Sequence, residues 1–188
     1  MFVFLLFSDW SSTQRLGVIS YAASSLVCIG LALRRGSNFL HKPKSTGIAL
    51  FSAILQILMV ADLIAGWRLA IHNALAGVFV QYNLYQIRHP FQAGSLLVFG
   101  AIFFFALQTI VIRFRFRPGA KLAATGLLLS VTLWVLEIIS LHATDHALYY
   151  LFHGRMVIAY LWLLAAAITA VGASFDALSM NRKRAPRS

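Results

Sequence analysis

Residues 122–141 read LAATGLLLSVTLWVLEIISL, a stretch of 20 residues in which Glu137 is the only charged side chain. A helix of about 20 apolar residues crosses the hydrocarbon core of a bilayer, because that core is about 30 Å thick and each residue advances the helix by about 1.5 Å. The stretch therefore predicts a transmembrane helix. A carboxylate inside such a helix is costly, which makes Glu137 a candidate functional residue.

Four further stretches of the same kind lie on either side of it, at residues 16–33, 46–65, 93–112 and 156–175. The chain of 188 residues is 60% hydrophobic and 11% charged, whereas about a quarter of the residues of a soluble domain are charged. We therefore expect an all-α membrane protein: a single bundle of five transmembrane helices over residues 1–188, with a basic tail at residues 180–188.

The basic residues predict the orientation of the bundle. Of the 16 Lys and Arg residues, 12 fall in three segments, at residues 34–44, 113–121 and 182–187. Five spans place these segments on one side of the membrane, and basic loops stay in the cytoplasm. We expect the N-terminus outside, the C-terminus in the cytoplasm and the bacterial inner membrane as the location. The net charge of +11 then reflects topology and contact with anionic lipids, and we expect no nucleic-acid binding.

Residues 66–89 fit the five-span scheme less well. They are only moderately apolar and include Arg68, His72, Arg88 and His89. A sixth span here is the alternative, but it would move the later basic segments to opposite sides of the membrane. We therefore expect an outer extension of the second helix, followed by an interfacial or re-entrant piece that packs on protein.

Polar side chains concentrate on the predicted outer side, which holds five of the six histidines, and three carboxylates, Asp62, Glu137 and Asp145, lie in the outer third of the spans or in the outer loops. The densest part is residues 137–153. No Gly or Pro interrupts residues 127–153, so we expect one helix that continues past the membrane surface. On such a helix four side chains share one face, at positions i, i+4, i+7 and i+11: His142, His146, Tyr149 and His153.

This face predicts a metal site whose candidate ligands are His142, His146, Asp145 and His153. Two imidazoles one turn apart can share a transition metal, with a carboxylate as a third ligand or as the acceptor for an imidazole N–H. His72 and His142 lie at a depth that suits an axial haem ligand and are candidate cofactor-binding residues. The competing interpretation is that His and Tyr suit a wet membrane interface.

Asp62 and Glu137 are the candidate catalytic residues. A carboxylate near the middle of a span costs about 2.5–3.5 kcal/mol, so each needs a role. The two could relay protons, or they could pair with Arg68 or Arg155, and pairing is the favoured interpretation. Asp62 and Arg68 are six residues apart and would not share a face of one helix, so we expect the partner of Asp62 to come from another helix.

Three functions stay open. The first is a small redox or metal-binding membrane protein with a transition metal or haem at the outer histidines, and the gathering of polar residues on one side favours it. The second is an accessory or assembly subunit that packs beside other membrane subunits. The third is a membrane-embedded lipid-modifying enzyme or transporter that uses Asp62 and Glu137, although alternating access usually relies on repeated halves, which this sequence lacks.

Overall fold

The computed structural model of the chain describes residues 10–36, 43–113, 117–139 and 142–182. Its α-helices are α1 Ser12–Gly36, α2 Pro43–Ala65, α3 Trp67–Gln81, α4 Tyr85–Gln108, α5 Pro118–Ile139, α6 His142–Leu148 and α7 Val157–Arg182. A π-helical segment, Thr109–Arg113, follows α4 directly. Two short strands, β1 Leu151–Phe152 and β2 Arg155–Met156, pair antiparallel before α7. Most of the predicted basic tail lies outside the described residues.

Five helical segments are long and apolar enough to cross a bilayer: Ser12–Arg34, Gly47–Ala65, Pro90–Gln108, Pro118–Ile139 and Val157–Ser179. The prediction of an all-α, multi-pass membrane protein with five candidate spans is therefore confirmed. The first helix begins earlier than its predicted apolar stretch, because a local cap extends it. At α1, the backbone N–H of Gln14 donates to Ser11 Oγ at 3.2 Å and that of Ser11 donates to Gln14 Oε1 at 3.3 Å, a reciprocal cap that starts the helix at Ser12.

Four of the helices, α1, α2, α5 and α7, pack together as the core of the bundle. The contact between α5 and α7 is the closest, because Gly119 and Gly126 of α5 and Gly172 of α7 lie directly against backbone atoms of the facing helix. A Cβ at any of the three would overlap those atoms. Small residues permit this close approach, and the van der Waals packing that results helps helices associate inside a bilayer.

Helices α3 and α4 lie outside the four-helix core and pack on α5. No residue of α3 is buried, nor is any residue of the apolar window Pro90–Gln108 of α4. The 15 residues of α3 make a helix about 22 Å long, too short to cross the hydrocarbon core. The predicted extension of the second helix is wrong in one respect: α2 ends at Ala65, and a separate helix begins at Trp67.

The predicted continuous helix over residues 127–153 is also wrong. Helix α5 ends at Ile139, α6 is a separate helix of 7 residues, and His153 lies in a hairpin turn between β1 and β2. The turn residues His153 and Gly154 have φ values of 48° and 75°. Two left-handed residues in a two-residue turn are typical of a type I′ hairpin, whose twist suits the paired strands. The hairpin is attached to the start of α1 by a hydrogen bond from Ser12 Oγ to Gly154 O.

Candidate functional site

The break between α2 and α3 positions the first charged residue of the site. Gly66 has φ 70° and ψ 26°, a left-handed conformation that glycine adopts without steric cost. This break in the helix brings the first turn of α3 beside Asp62. The Oδ1 atom of Asp62 accepts a hydrogen bond from the backbone N–H of Arg68 at 2.9 Å. The carboxylate therefore caps the N-terminus of α3 from the preceding helix, where the partial positive charge of the helix end stabilises an anion.

The side chain of Arg68 joins both candidate carboxylates. Its Nε and Nη2 each lie 2.6 Å from Asp62 Oδ2, and its Nη1 donates to Glu137 Oε2. Only 12% of the Arg68 side chain is exposed, against 4% for Asp62 and 3% for Glu137. The predicted pairing with Arg68 is confirmed, and the six-residue spacing permits it because Gly66 puts Arg68 on a new helix. The other predicted partner, Arg155, is exposed on β2.

An aromatic side chain of α7 closes the cluster, and a glycine of α1 makes room for it. The guanidinium carbon of Arg68 lies 4.9 Å from the centroid of the Trp162 ring, within cation–π range. Gly17 of α1 makes room for this indole, since a Cβ there would lie 2.9 Å from Trp162 Cζ3 and 3.0 Å from Leu63 Cδ1. Five helices, α1, α2, α3, α5 and α7, therefore meet at this cluster.

The charges of the Asp62–Arg68–Glu137 cluster do not balance. Two carboxylates share one guanidinium, so the cluster carries one net negative charge when both acids are ionised. Tyr149, after α6, lies near the same charges: burial raises the pKa of its hydroxyl to about 12, and the Glu137 and Asp145 carboxylates add to the effect. Tyr149 therefore stays a neutral hydrogen-bond donor at physiological pH.

His72, a predicted cofactor-binding residue, lies one turn after Arg68 and contacts the end of α5. Its Nδ1 is 3.0 Å from the carbonyl oxygen of Ile138, and Gln92 Nε2 donates to the carbonyl oxygen of Ile139 at 3.0 Å. The last carbonyls of a helix have no partner within it, so these two side chains cap α5. A carbonyl only accepts, so Nδ1 of His72 carries the proton and Nε2 is the acceptor nitrogen.

His72 and Gln92 also line a cavity of about 270 Å³ between α3, α4 and α5. The other walls are largely aromatic and include Phe79, Phe91 and Trp134. An apolar cavity with a few polar groups is the usual form of a ligand pocket. Asp62 and Glu137 do not line it, so the cavity and the charged cluster are neighbours on α3 rather than one site.

The predicted metal ligands do not share one helix face. Asp145 and His146 lie on α6, His146 and His153 are exposed, and His153 belongs to the hairpin turn. His142 begins α6, but its side chain is outside the described residues, as is that of His89. Among the side chains that the structure describes, no three His, Cys, Asp or Glu form a group that could hold a metal ion. Metal or haem binding stays a prediction.

Several buried polar side chains were not nominated from the sequence. Tyr21 is 1% exposed, and Gln56 and Thr169, both 0% exposed, are joined by a hydrogen bond of 3.4 Å in the middle of the bundle. At the opposite end of α7, Asp176 is 1% exposed and lies 3.1 Å from Nε of Arg117. The sequence signal that could have identified Thr169 and Asp176 is their spacing, because two residues seven positions apart share a face of α7.

Comparisons with protein-family models, with curated proteins and with solved structures give no match for this chain. The function is therefore argued from the side chains themselves.

Proposed function

We propose that this protein is a proton-exchanging protein of the bacterial inner membrane, with its N-terminus outside and its C-terminus in the cytoplasm. The Asp62–Arg68–Glu137 cluster is the site that binds and releases the proton, close to the outer leaflet. One observation carries the proposal: two buried carboxylates share a single buried guanidinium. Ionisable groups inside membrane spans are rare and are typical of proton relays and ion pathways.

Charge balance supports the uptake of one proton. The guanidinium of Arg68 stays protonated in proteins, so only the two acids can change the charge of the cluster. With both ionised, one negative charge is left in surroundings that solvate it poorly, and a proton on either acid makes the cluster neutral. The cluster can therefore exist in two states that differ by one proton.

We assign this proton to Glu137 on the basis of the hydrogen bonds around the two acids. Asp62 is approached by the backbone N–H of Arg68 and by Nε and Nη2 of its side chain, and it lies at a helix N-terminus. Glu137 accepts a hydrogen bond from Nη1. Donors and a helix dipole favour the ionised form of the acid that they face, so Asp62 keeps its charge and Glu137 takes the proton.

A purely stabilising role explains the cluster less well. Replacing a buried ion pair by apolar residues of similar volume is often neutral, or stabilising by about 1–4 kcal/mol. In a bilayer, apolar side chains at these positions would avoid the cost of burying three ionisable groups. The presence of three ionisable groups at these positions therefore favours an acid–base function over a packing function.

Infrared spectroscopy of the purified protein in liposomes tests the proposal directly. We expect a carbonyl stretch of a protonated, buried carboxyl group that disappears as the pH rises, because deprotonation returns the cluster to one net negative charge. Glu137→Gln should abolish this pH-dependent band, whereas the control Asp145→Asn should retain it. A wild-type spectrum without the band, or a band unchanged in Glu137→Gln, would contradict the proposal.

Cofactor binding at His72 is a second candidate function, favoured by the tautomer of its ring. An imidazole with Nδ1–H on a backbone carbonyl and Nε2 free to coordinate is the usual arrangement of a histidine ligand. We expect a transition metal or a haem absorption band in the purified protein, lost in His72→Ala and kept in the exposed control His146→Ala. Gln92→Ala, which removes the neighbouring cap of α5 but no imidazole, should also keep it. A colourless, metal-free native protein would rule the cofactor out.

A further inference from the structure

We propose that the cavity beside His72, together with an apolar groove that continues from it along α5, binds a long-chain quinol: a hydroxylated aromatic ring that carries a polyisoprenoid tail. This site goes beyond the proposed function and does not depend on it, because no residue of the Asp62–Arg68–Glu137 cluster lines the cavity or the groove.

Three cavities join end to end to form the groove. The His72 cavity, of about 270 Å³, shares Phe99 and Val135 with a middle cavity of about 360 Å³ between α4 and α5. The middle cavity shares Leu128 and Val131 with a third cavity of about 560 Å³ between α2, α5 and the π-helical segment, the α2 cavity. Because neighbouring cavities have walls in common, a single elongated molecule can occupy all three.

The groove follows one face of α5 along nearly the whole helix. Its walls include residues of α5 that are three or four positions apart, the spacing of one helix face: Ile139, Val135, Val131, Leu128, Ala124 and Ala120. From Ile139 to Ala120 the helix advances 19 positions, or about 28 Å, close to the whole hydrocarbon core of about 30 Å. A phospholipid chain ends near the middle of the bilayer, whereas a polyisoprenoid chain is long enough to cross it.

The walls of the middle cavity and the α2 cavity suit a hydrocarbon tail. Their described residues are apolar apart from Thr132. The hydroxyl group of Thr132 donates to the carbonyl oxygen of Leu128 at 2.8 Å, so its hydrogen is used within α5. This part of the groove therefore selects for length and apolar character.

The His72 cavity suits an aromatic ring. Phe79 and Phe91 both line it, with their ring centroids 5.3 Å apart and their planes inclined at 58°, and Phe99 and Trp134 line it as well. Aromatic side chains attract a further ring in offset or edge-to-face contact. An apolar cavity of about 150 Å³ is enough to hold benzene, so the His72 cavity has room for a ring with substituents.

His72 supplies an acceptor for a hydroxyl group on that ring. Its Nδ1 lies 3.0 Å from the carbonyl oxygen of Ile138, which leaves Nε2 as the atom that the imidazole offers to a ligand. An unprotonated Nε2 accepts a hydrogen bond, so it pairs with the hydroxyl of a quinol and not with the carbonyl oxygen of the oxidised quinone. A metal would use the same nitrogen, and we therefore expect His72 to be metal-free when the quinol is bound.

The composition of the His72 cavity disfavours a phosphate head group. No Lys or Arg is found among the described residues that line it, and phosphate recognition in proteins relies on these cations. The uncharged ring of a quinol fits this cavity better than the head group of a phospholipid or of a polyprenyl phosphate.

Two glycine variants of α4 test the groove. Gly100 lines the middle cavity, and a Cβ there would meet nothing within 4 Å, so Gly100→Leu fills the groove without a clash. Gly94→Leu is the matched control, because a Cβ on Gly94 also meets open space but Gly94 lines none of the three cavities. The detergent-purified proteins are incubated with ubiquinol under argon, separated by gel filtration and extracted for chromatography.

We expect stoichiometric ubiquinol on the wild type and on Gly94→Leu. The affinity of Gly100→Leu should fall by at least about tenfold, the effect of about two methylene groups that lose their contacts. Duroquinol, which has the ring but no tail, should bind the wild type and Gly100→Leu alike, because the His72 cavity is unchanged.

Competition between the two redox forms tests the ring site. The protein is equilibrated with equal amounts of ubiquinol and ubiquinone, and the ratio of the two in the bound fraction is measured. We expect the quinol to be enriched about five- to tenfold on the wild type, the effect of one hydrogen bond. His72→Leu keeps an apolar side chain in the wall but removes the acceptor, and it should abolish the enrichment.

Three results would each overturn the site: a wild-type extract that contains only phospholipid, equal affinities of Gly100→Leu and Gly94→Leu for ubiquinol, or a wild-type protein that does not prefer the quinol. The glycine comparison and the wild-type ratio decide the question even where His72→Leu does not fold. The infrared band of Glu137 is measured without quinol, so the failure of one proposal leaves the other standing.

Discussion

At the scale of single residues, glycine decides how close the helices of this bundle come. A Cβ on Gly126 would lie 2.6 Å from the backbone nitrogen of Thr169 and 2.8 Å from the carbonyl oxygen of Ala165, whereas a Cβ on Gly100 of α4 would meet nothing within 4 Å. The two glycines therefore differ in function, although both lie in apolar helices. The first permits contact between α5 and α7, and the second faces open space.

Alanine at these two positions separates the effects. Gly126→Ala should destabilise the protein by about 1–3 kcal/mol, because the added methyl group forces α5 and α7 apart. Gly100→Ala should be neutral or slightly stabilising, since it adds helix propensity without a clash. Thermal unfolding in detergent, followed by circular dichroism, measures the difference. Similar unfolding temperatures for the two variants would mean that α5 and α7 are not in backbone contact.

The charged residues of the site could be nominated from the sequence, but their geometry could not. Asp62 and Glu137 stand out because they are acids inside apolar stretches, and Arg68 was a predicted partner. That Arg68 would contact both acids depends on the left-handed conformation of Gly66, which redirects the chain. Residues such as Gln56 and Thr169 were missed because an uncharged polar residue in a span is common and carries little signal alone.

At the scale of elements, the five long helices were predictable because their signal is local. Length and apolar composition within one stretch are enough to satisfy the bilayer. The ends of α5 and the identity of α6 depend instead on distant residues. The last carbonyls of α5 are capped by His72 of α3 and Gln92 of α4, and nothing within residues 127–153 encodes those contacts. The assumed single helix, and the histidine face that rested on it, failed for this reason.

At the scale of the whole molecule, the distribution of basic residues predicts an orientation in which Arg117 and Asp176 lie at the cytoplasmic end and the Asp62–Arg68–Glu137 cluster lies at the outer end. The structure adds that Arg117 pairs with a buried carboxylate, so not every arginine in these segments is available to lipid head groups.

Accessibility labelling checks this orientation. Cys28 is fully buried and is the sole cysteine of the chain, so a Cys28→Ala background accepts single new cysteines. With a membrane-impermeant maleimide applied to intact cells whose outer membrane is permeabilised, we expect labelling of Ser12→Cys and Ala147→Cys. Arg34→Cys and Pro118→Cys should react only after the inner membrane is opened. Labelling of Arg34→Cys and Pro118→Cys from opposite faces would invalidate the five-span topology.

The remote cap of α3 has a mechanical consequence. The first turn of α3 is fastened to the core through the carboxylate of Asp62, while α3 and α4, apart from the largely buried side chain of Arg68, contribute no buried residue over the segments Trp67–Gln81 and Pro90–Gln108. The two peripheral helices thus form an arm whose polar attachments to the core are few: the contacts of Arg68 with Asp62 and Glu137, and those of His72 and Gln92 with the end of α5. The protonation of the cluster and the position of the arm are thermodynamically linked. A molecule that binds between the arm and the core must therefore also change the affinity of the cluster for a proton, and protonation must change the affinity for that molecule by the same factor.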